Sequence, residues 1–213
     1  MYTLIIHRIG GADNIVVIWK ITGQGLLRYN HTAPIQRVMY NPSILLLASC
    51  SEVDFGLWTP DQKQVTKEKM PSRILSAAWS SDGSMLALGM LSGMISIRNQ
   101  QAQEILKFDK KGPVWCLSFI PDTTPQKTTV PNMQQQTSQL PGNTSSSGDS
   151  NDFLAVGCWD KTYSLYKITG GSSKLLTEKQ LRYYPCSMSF SSNQSSKSNY
   201  LVTLLYPKFY LIS

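Results

Sequence analysis

Between residues 35 and 69 the apolar positions gather in four short strand-like runs, Ile35–Tyr40, Leu45–Ser51, Phe55–Thr59 and Gln64–Glu68, set apart by turn residues. Such runs predict β-strands, because successive side chains of a strand point to opposite faces. The same four runs return between 74 and 109. Ile74 and Trp79 fall where Ile35 and Tyr40 stand, Leu86-Ala87 falls on Leu47-Ala48, and Ser96-Ile97-Arg98 falls on Gly56-Leu57-Trp58, a shift of 39 or 40 residues. In this second copy Met85, Ala87 and Gly89 alternate with Leu86, Leu88 and Met90. Both faces are apolar, so the strand is expected to be covered on both sides. Asp82-Gly83 and Ser92-Gly93 supply its hairpin turns.

A third unit opens at Val114–Phe119 with the same five-residue spacing, then breaks into Asp122–Ser150, 29 residues of Thr, Pro, Gln, Ser, Asn and Gly with almost no charge. Such a composition buries too little surface to offset chain entropy, so the tract is expected to be a disordered insertion between the first two strands. The run FLAVGCWDKTYSLYK then resumes the pattern. Arg98 and Tyr166 stand 68 residues apart, and setting the tract aside restores a period of 39. A fourth unit starts at Pro185–Phe190 and continues through Tyr200–Leu205 and Phe209–Ile212. Upstream, Asp13-Asn14 suits a tight turn and Ile15–Trp19 is a strand ending on an aromatic. The opening YTLIIHRIGG departs from the repeat, so the chain is expected to enter a blade at its third strand.

A period near 40 with four strands per unit marks a β-propeller of the WD type, for which roughly 40–45 residues per blade is usual. The expected fold is therefore all-β, an incomplete WD40-type β-propeller of about three full four-stranded blades with partial blades at both ends. The divisions are 1–30 (partial, with 1–10 aberrant), 35–69, 74–109, 114–179 with the insertion 122–150, and 185–213 (partial). A closed ring typically takes 4–8 blades. The isolated chain is accordingly expected to expose open sheet edges and to aggregate or stay partly unfolded.

The WD signature implies a hydrogen-bonded set of His before the first strand, Ser or Thr on the second, Asp near the second turn and Trp on the third. His31, Ser49 (or Ser51), Asp54 and Trp58 stand at these places, and Asp13 with Trp19 and Asp160 with Tyr166 are the related pairs. Asp54 lies four residues before Trp58, whereas the other two pairs are separated by six; Asn30 stands for the usual Gly and Thr59 for the usual Asp. The set at 31–58 is therefore expected to close incompletely. The second unit has neither the His nor the turn Asp, so packing alone is expected to hold it. A Ser, a His and an Asp together also suggest hydrolysis. That reading fails on the sequence, because no nucleophile elbow is present and the residues fall at repeat-determined positions.

Composition narrows the picture. No apolar run approaches the roughly 20 residues that span a bilayer, no secretory leader is recognisable, and a soluble protein without a transmembrane segment is expected. Cys50, Cys116, Cys158 and Cys186 form no C-x-x-C pair and keep no His cluster, so reduced, half-buried thiols are expected and no metal or cofactor. The net charge is +7. Basic residues are scattered and not interleaved with aromatic ones along a strand, so no nucleic-acid partner is expected. The Met residues are read as core filler.

The runs HTAPIQRVMYNP, LASCSEVDFGLWTPDQK, ILSAAWSSDG, LALGMLSGMISIRN and GPVWCLSF resemble the N-terminal propellers of WD-repeat subunits of the intraflagellar transport A complex, well over residues 11–120 and more loosely over 152–202. The resemblance implies a non-catalytic scaffold for retrograde ciliary transport and cilium assembly. Its implied partners are other A-complex subunits and ciliary membrane cargo adaptors, and its implied location is the cilium, the ciliary base and the cytoplasm. Family members carry helical-repeat tails after their propellers, so the chain is expected to be a fragment or an incomplete gene product. Two other readings stand beside it: a coat-like WD subunit of cytoplasmic vesicle traffic, and a basic surface for nucleic acid or anionic lipid.

Overall fold

The computed structural model describes residues 6–10, 12–20, 22–59, 67–121, 152–169, 171–193, 198–205 and 208–212. These form strands and no helix. A first sheet holds β1 (Ile6–Gly10), β2 (Ile15–Lys20) and β3 (Gly25–Asn30). A second holds β4 (Ile35–Tyr40), β5 (Leu47–Ser51), β6 (Asp54–Trp58) and β7 (Lys67–Lys69). The third runs β8 (Ile74–Trp79), β9 (Met85–Met90), β10 (Met94–Asn99), β11 (Glu104–Asp109). The fourth runs β12 (Val114–Ile120), β13 (Phe153–Cys158), β14 (Thr162–Thr169), β15 (Ser172–Gln180). A last sheet holds β16 (Pro185–Asn193), β17 (Ser198–Leu205) and β18 (Lys208–Ile212).

Every sheet is an antiparallel meander in chain order. The first strands of the last four sheets, β4, β8, β12 and β16, lie against one another in turn, so the sheets fan about a shared axis. The result is an incomplete, unclosed β-propeller. Its cores lie between sheets rather than within them, since a flat sheet can bury an apolar face only against another layer. Met85, Ala87, Ile95 and Ile97 pack on Val114, Phe119, Leu154 and Val156 of the next sheet. Leu86, Leu88 and Met90, from the opposite face of the same strand, pack on Ala48, Cys50 and Phe55 of the preceding one. The alternation along β9 thus divides its side chains between two neighbours.

One expectation changes. Ile6–Gly10 is a strand, with His7 opposite Trp19 and Ile9 opposite Val17, so the described chain enters at the second strand of a blade and not the third. Ladder hydrogen bonds come from the backbone, and a segment can pair without carrying repeat-like side chains. The fourth strand of the second sheet is described only over Lys67–Lys69, and Gln64–Thr66 lie outside the described residues. The insertion 122–150 lies outside them too.

Blades are also tied by polar contacts at their turns. Asn41, buried after β4, accepts the backbone N–H groups of Ser43 and Ile44 and donates from Nδ2 to the Gly83 carbonyl at 2.6 Å. Gly83 has φ +74°, and a Cβ there would meet Asn41 Oδ1 at 2.2 Å. One sheet further on, the backbone N–H of Ser81 donates to Asp152 at 3.0 Å.

Candidate functional site

The polar centre of the second sheet is built on the hairpin β5–β6. Ser49 is central in β5, opposite Gly56, with Trp58 opposite Leu47. His31 precedes β4, its backbone N–H held by the Asn14 carbonyl of the first sheet at 2.8 Å. Its Nδ1 lies 2.5 Å from Asp54 Oδ1 and its Nε2 lies 2.7 Å from Ser49 Oγ. Trp58 Nε1 donates to the same Ser49 oxygen at 2.8 Å. Asp54 accepts further bonds from Ser51 Oγ and from Thr32 Oγ1 at 2.9 Å. Tyr29 of the first sheet stacks on the Trp58 ring, centroids 3.4 Å apart, so the set joins two sheets.

The set therefore closes, against the expectation of an incomplete one. Asp54 is two residues nearer the Trp than the other aspartates are. Two residues is one strand repeat, so the carboxylate stays on the same face and still reaches His31. Asn30, another of the departures, gives its backbone carbonyl to Lys67 Nζ. Gly56 leaves room for the indole, because a Cβ there would come within 2.9 Å of Trp58 Nε1.

A neutral imidazole protonated on Nδ1 satisfies every atom. Nδ1–H donates to Asp54, Ser49 Oγ–H donates to Nε2, and Trp58 N–H donates to Ser49. Burial lowers the pKa of His31 despite the opposing pull of Asp54. Burial pushes Asp54 up, but bonds from Ser51, His31 and Thr32 outweigh it and hold the carboxyl below its ordinary 3.8. The Ser–His–Asp connectivity matches that of a hydrolytic triad. Ser49 is fully buried, His31 is 5% exposed, and the serine oxygen already receives the indole. A substrate carbonyl has no approach to it, and the arrangement is suited to tying strands together.

Register alignment shows what the other blades place at the same positions. Met70 and Lys110 each stand four residues before a first strand, as His31 does. Arg98 and Tyr166 oppose Leu86 and Leu154 as Trp58 opposes Leu47. Ser96 and Ser164 take the place of Gly56. In the third sheet Arg98 Nε donates to Ser96 Oγ at 2.8 Å, Ser96 donates to Glu104 at 2.8 Å, and Arg98 pairs with Glu104 at 3.0 Å. Packing alone does not hold this blade, and the expectation that it would is corrected. The Ser-x-Arg of β10 with an acidic residue early on β11 was the available signal. In the fourth sheet Lys110 donates to Ser164 at 2.7 Å and pairs with Glu178, while Ser164 donates to Glu178 at 2.8 Å. Burial opposes the charge on Lys110, but Glu178 and neighbouring Tyr166 outweigh it and raise its pKa. The tract 122–150 separates Lys110 from its partners in sequence, which hid this set.

The remaining expected positions do other work. Asp13 accepts the Ile15 N–H at 3.2 Å, and Asp160 accepts the Thr162 N–H at 2.9 Å. Each precedes a residue in the left-handed region, Asn14 at φ 65° and Lys161 at φ 64°. Both aspartates cap turns. Trp19 is 37% exposed; Tyr166 is buried and packs on Phe108 with centroids 4.7 Å apart. Cys50, Cys116 and Cys158 are buried and free, and Cys186 is half-buried. Burial pushes the thiols of Cys50 and Cys116 up to about 12. Among the described residues no group of His, Cys, Asp or Glu could hold a metal ion, and no helix is long and apolar enough to cross a membrane.

A family profile described as IFT122 first beta-propeller matches residues 9–206. The chain is 36% identical over 197 residues to the intraflagellar transport protein 122 homolog of Danio rerio, covering 91% of this chain and 14% of that protein. It is 34% identical over 220 residues to the homolog of Homo sapiens, covering 85% of this chain and 18% of that protein. It thus spans less than a fifth of the length of these curated relatives. Among solved structures, the Cps50 (Swd1) β-propeller domain of Myceliophteria thermophila superimposes with a TM-score of 0.67 at 12% identity, covering 97% of this chain and 65% of that one. That likeness shows the fold.

Proposed function

We infer, from the premise that this chain belongs to the IFT122 first beta-propeller family, that it serves as a WD-repeat scaffold of the intraflagellar transport A complex. In this reading it supports retrograde ciliary transport and cilium assembly by binding other A-complex subunits and ciliary membrane cargo adaptors. It works in the cilium, at the ciliary base and in the cytoplasm. The observation that carries the reading is the extent of the family match, which runs through nearly every sheet. A coat-like role in vesicle traffic is not favoured by it.

The geometry supports a binding role. Inward faces pack on neighbouring sheets, and the triad-like set of Ser49, His31 and Asp54 is sealed. We take 35–69, 74–109 and 114–179 as the blades of the scaffold, and His31, Ser49, Asp54 and Trp58 as the residues that fix the first of them. What remains free for partners is the rim and loops, where a rigid propeller presents shallow surfaces. The test is a tagged full-length protein in ciliated cells. It should enter cilia and recover other A-complex subunits, and a protein that does neither overturns the reading.

A further inference from the structure

An aromatic row crosses the loop end of the fourth sheet. Trp115 on β12 stacks on Trp159, which follows β13, with centroids 4.1 Å apart and planes 17° apart. Trp159 meets Tyr184, in the loop before β16, at 5.8 Å. Lys161 Nζ lies over the Tyr184 ring, 5.0 Å from its centroid. The backbone fixes the row: Trp159 N–H donates to the Pro113 carbonyl at 2.9 Å and Leu181 N–H to the Lys161 carbonyl at 2.6 Å. Trp159 is 40% and Tyr184 45% exposed. Two large rings held open to solvent on a rigid frame are the side chains that most often anchor protein interfaces.

Exposed cations outnumber free carboxylates around the row. Lys111 and Arg182 are exposed and Lys161 half-exposed, and none of the three forms an ion pair among the described residues. Of the acidic groups at this end, Glu52 pairs with Arg73, Asp54 is buried against His31, Asp160 caps its turn, and Asp109 is exposed two residues before Lys111. Exposed rings among unpaired cations suit either single-stranded nucleic acid or an acidic peptide. Base stacking needs open ring faces. Here Trp115 covers one face of Trp159, Tyr184 abuts it, and Lys161 covers one face of Tyr184. Part-covered rings beside ammonium groups fit apolar anchors alternating with carboxylates.

We propose that Trp159, Tyr184, Lys161, Arg182 and Lys111 form a docking site for an extended acidic segment of a partner protein. The proposal deepens the scaffold reading, on which it rests for the partner being a protein. The full-length protein is titrated by fluorescence anisotropy with three probes: a short labelled peptide alternating Glu with Phe, the same peptide with Lys for Glu, and a short oligouridylate. The acidic peptide should bind, and Trp159→Ala and Lys161→Glu should each weaken it on the order of tenfold. Lys161→Glu tests the site without removing an aromatic ring, and an unchanged melting profile shows that the fold is kept. Equal binding of both peptides, no effect of either variant, or tighter oligouridylate binding overturns the proposal. Recovery of A-complex subunits is scored separately on the same proteins. If the wild type recovers none, the scaffold reading fails, while the peptide titration still decides the docking site.

Discussion

Ser49→Ala is the sharpest perturbation of the closed set. It removes one hydroxyl that accepts from Trp58 Nε1 at 2.8 Å and lies 2.7 Å from His31 Nε2. Ser49 is fully buried, so water does not reach the two atoms left behind. An orphaned buried polar group costs about 1–3 kcal/mol, and two give an expected loss of about 3 kcal/mol. Trp58→Phe removes the indole N–H but keeps the Ser49–His31 bond. In that background Ser49→Ala orphans only His31, so its cost should fall by about 1–2 kcal/mol. The readout is native-state amide hydrogen exchange over 47–58, which reports the local opening free energy of the β5–β6 hairpin within a larger protein. Costs that add to within about 0.5 kcal/mol would refute the shared oxygen as the link between the two side chains.

Four other outcomes follow from the structure. Both shifts at the His31–Asp54 pair are downward, so the unfolded state binds more protons as pH falls; hairpin protection should weaken below the ordinary His value of 6.5, weaken again below the ordinary Asp value of 3.8, and the first step should vanish in His31→Gln. Gly83→Ala forces a left-handed residue and drives a methyl into Asn41, so about 3 kcal/mol should be lost and proteolysis of the 79–85 turn should accelerate. Glu178→Ala should cost about 1–2 kcal/mol by leaving Lys110, whose side chain is 6% exposed, without its carboxylate; the low figure reflects the 44% exposure of Glu178, and Lys110→Met should recover most of it, as Met70 is accommodated at the matching position. Brief iodoacetamide treatment at about pH 8 should label Cys186 and leave Cys50 and Cys116 unmodified by mass spectrometry, because the buried thiols stay protonated.

Strand alternation and the 39-residue shift were legible along the chain, because each side chain's face follows from its parity in the strand and each blade repeats the same packing problem. His31, Ser49, Asp54 and Trp58 could be named as a set for the same reason. Whether they closed could not be read from spacing: moving the Asp by two residues changes the interval but not the face, and only the folded hairpin shows that the carboxylate still reaches the imidazole. The Arg98–Ser96–Glu104 and Lys110–Ser164–Glu178 sets belong to no shared motif, since each blade balances its buried polar groups with different chemistry at the same register.

The sequence by itself determined the repeat, the strand parity and the two-sided burial of the inner strands, all of which depend on local period. The tertiary structure alone decided which side chains from distant strands share a hydrogen bond, that Ile6–Gly10 joins a sheet, and that Trp115, Trp159 and Tyr184 converge on one end among unpaired cations. Those depend on how sheets fan about an axis, and that geometry arises from packing between blades.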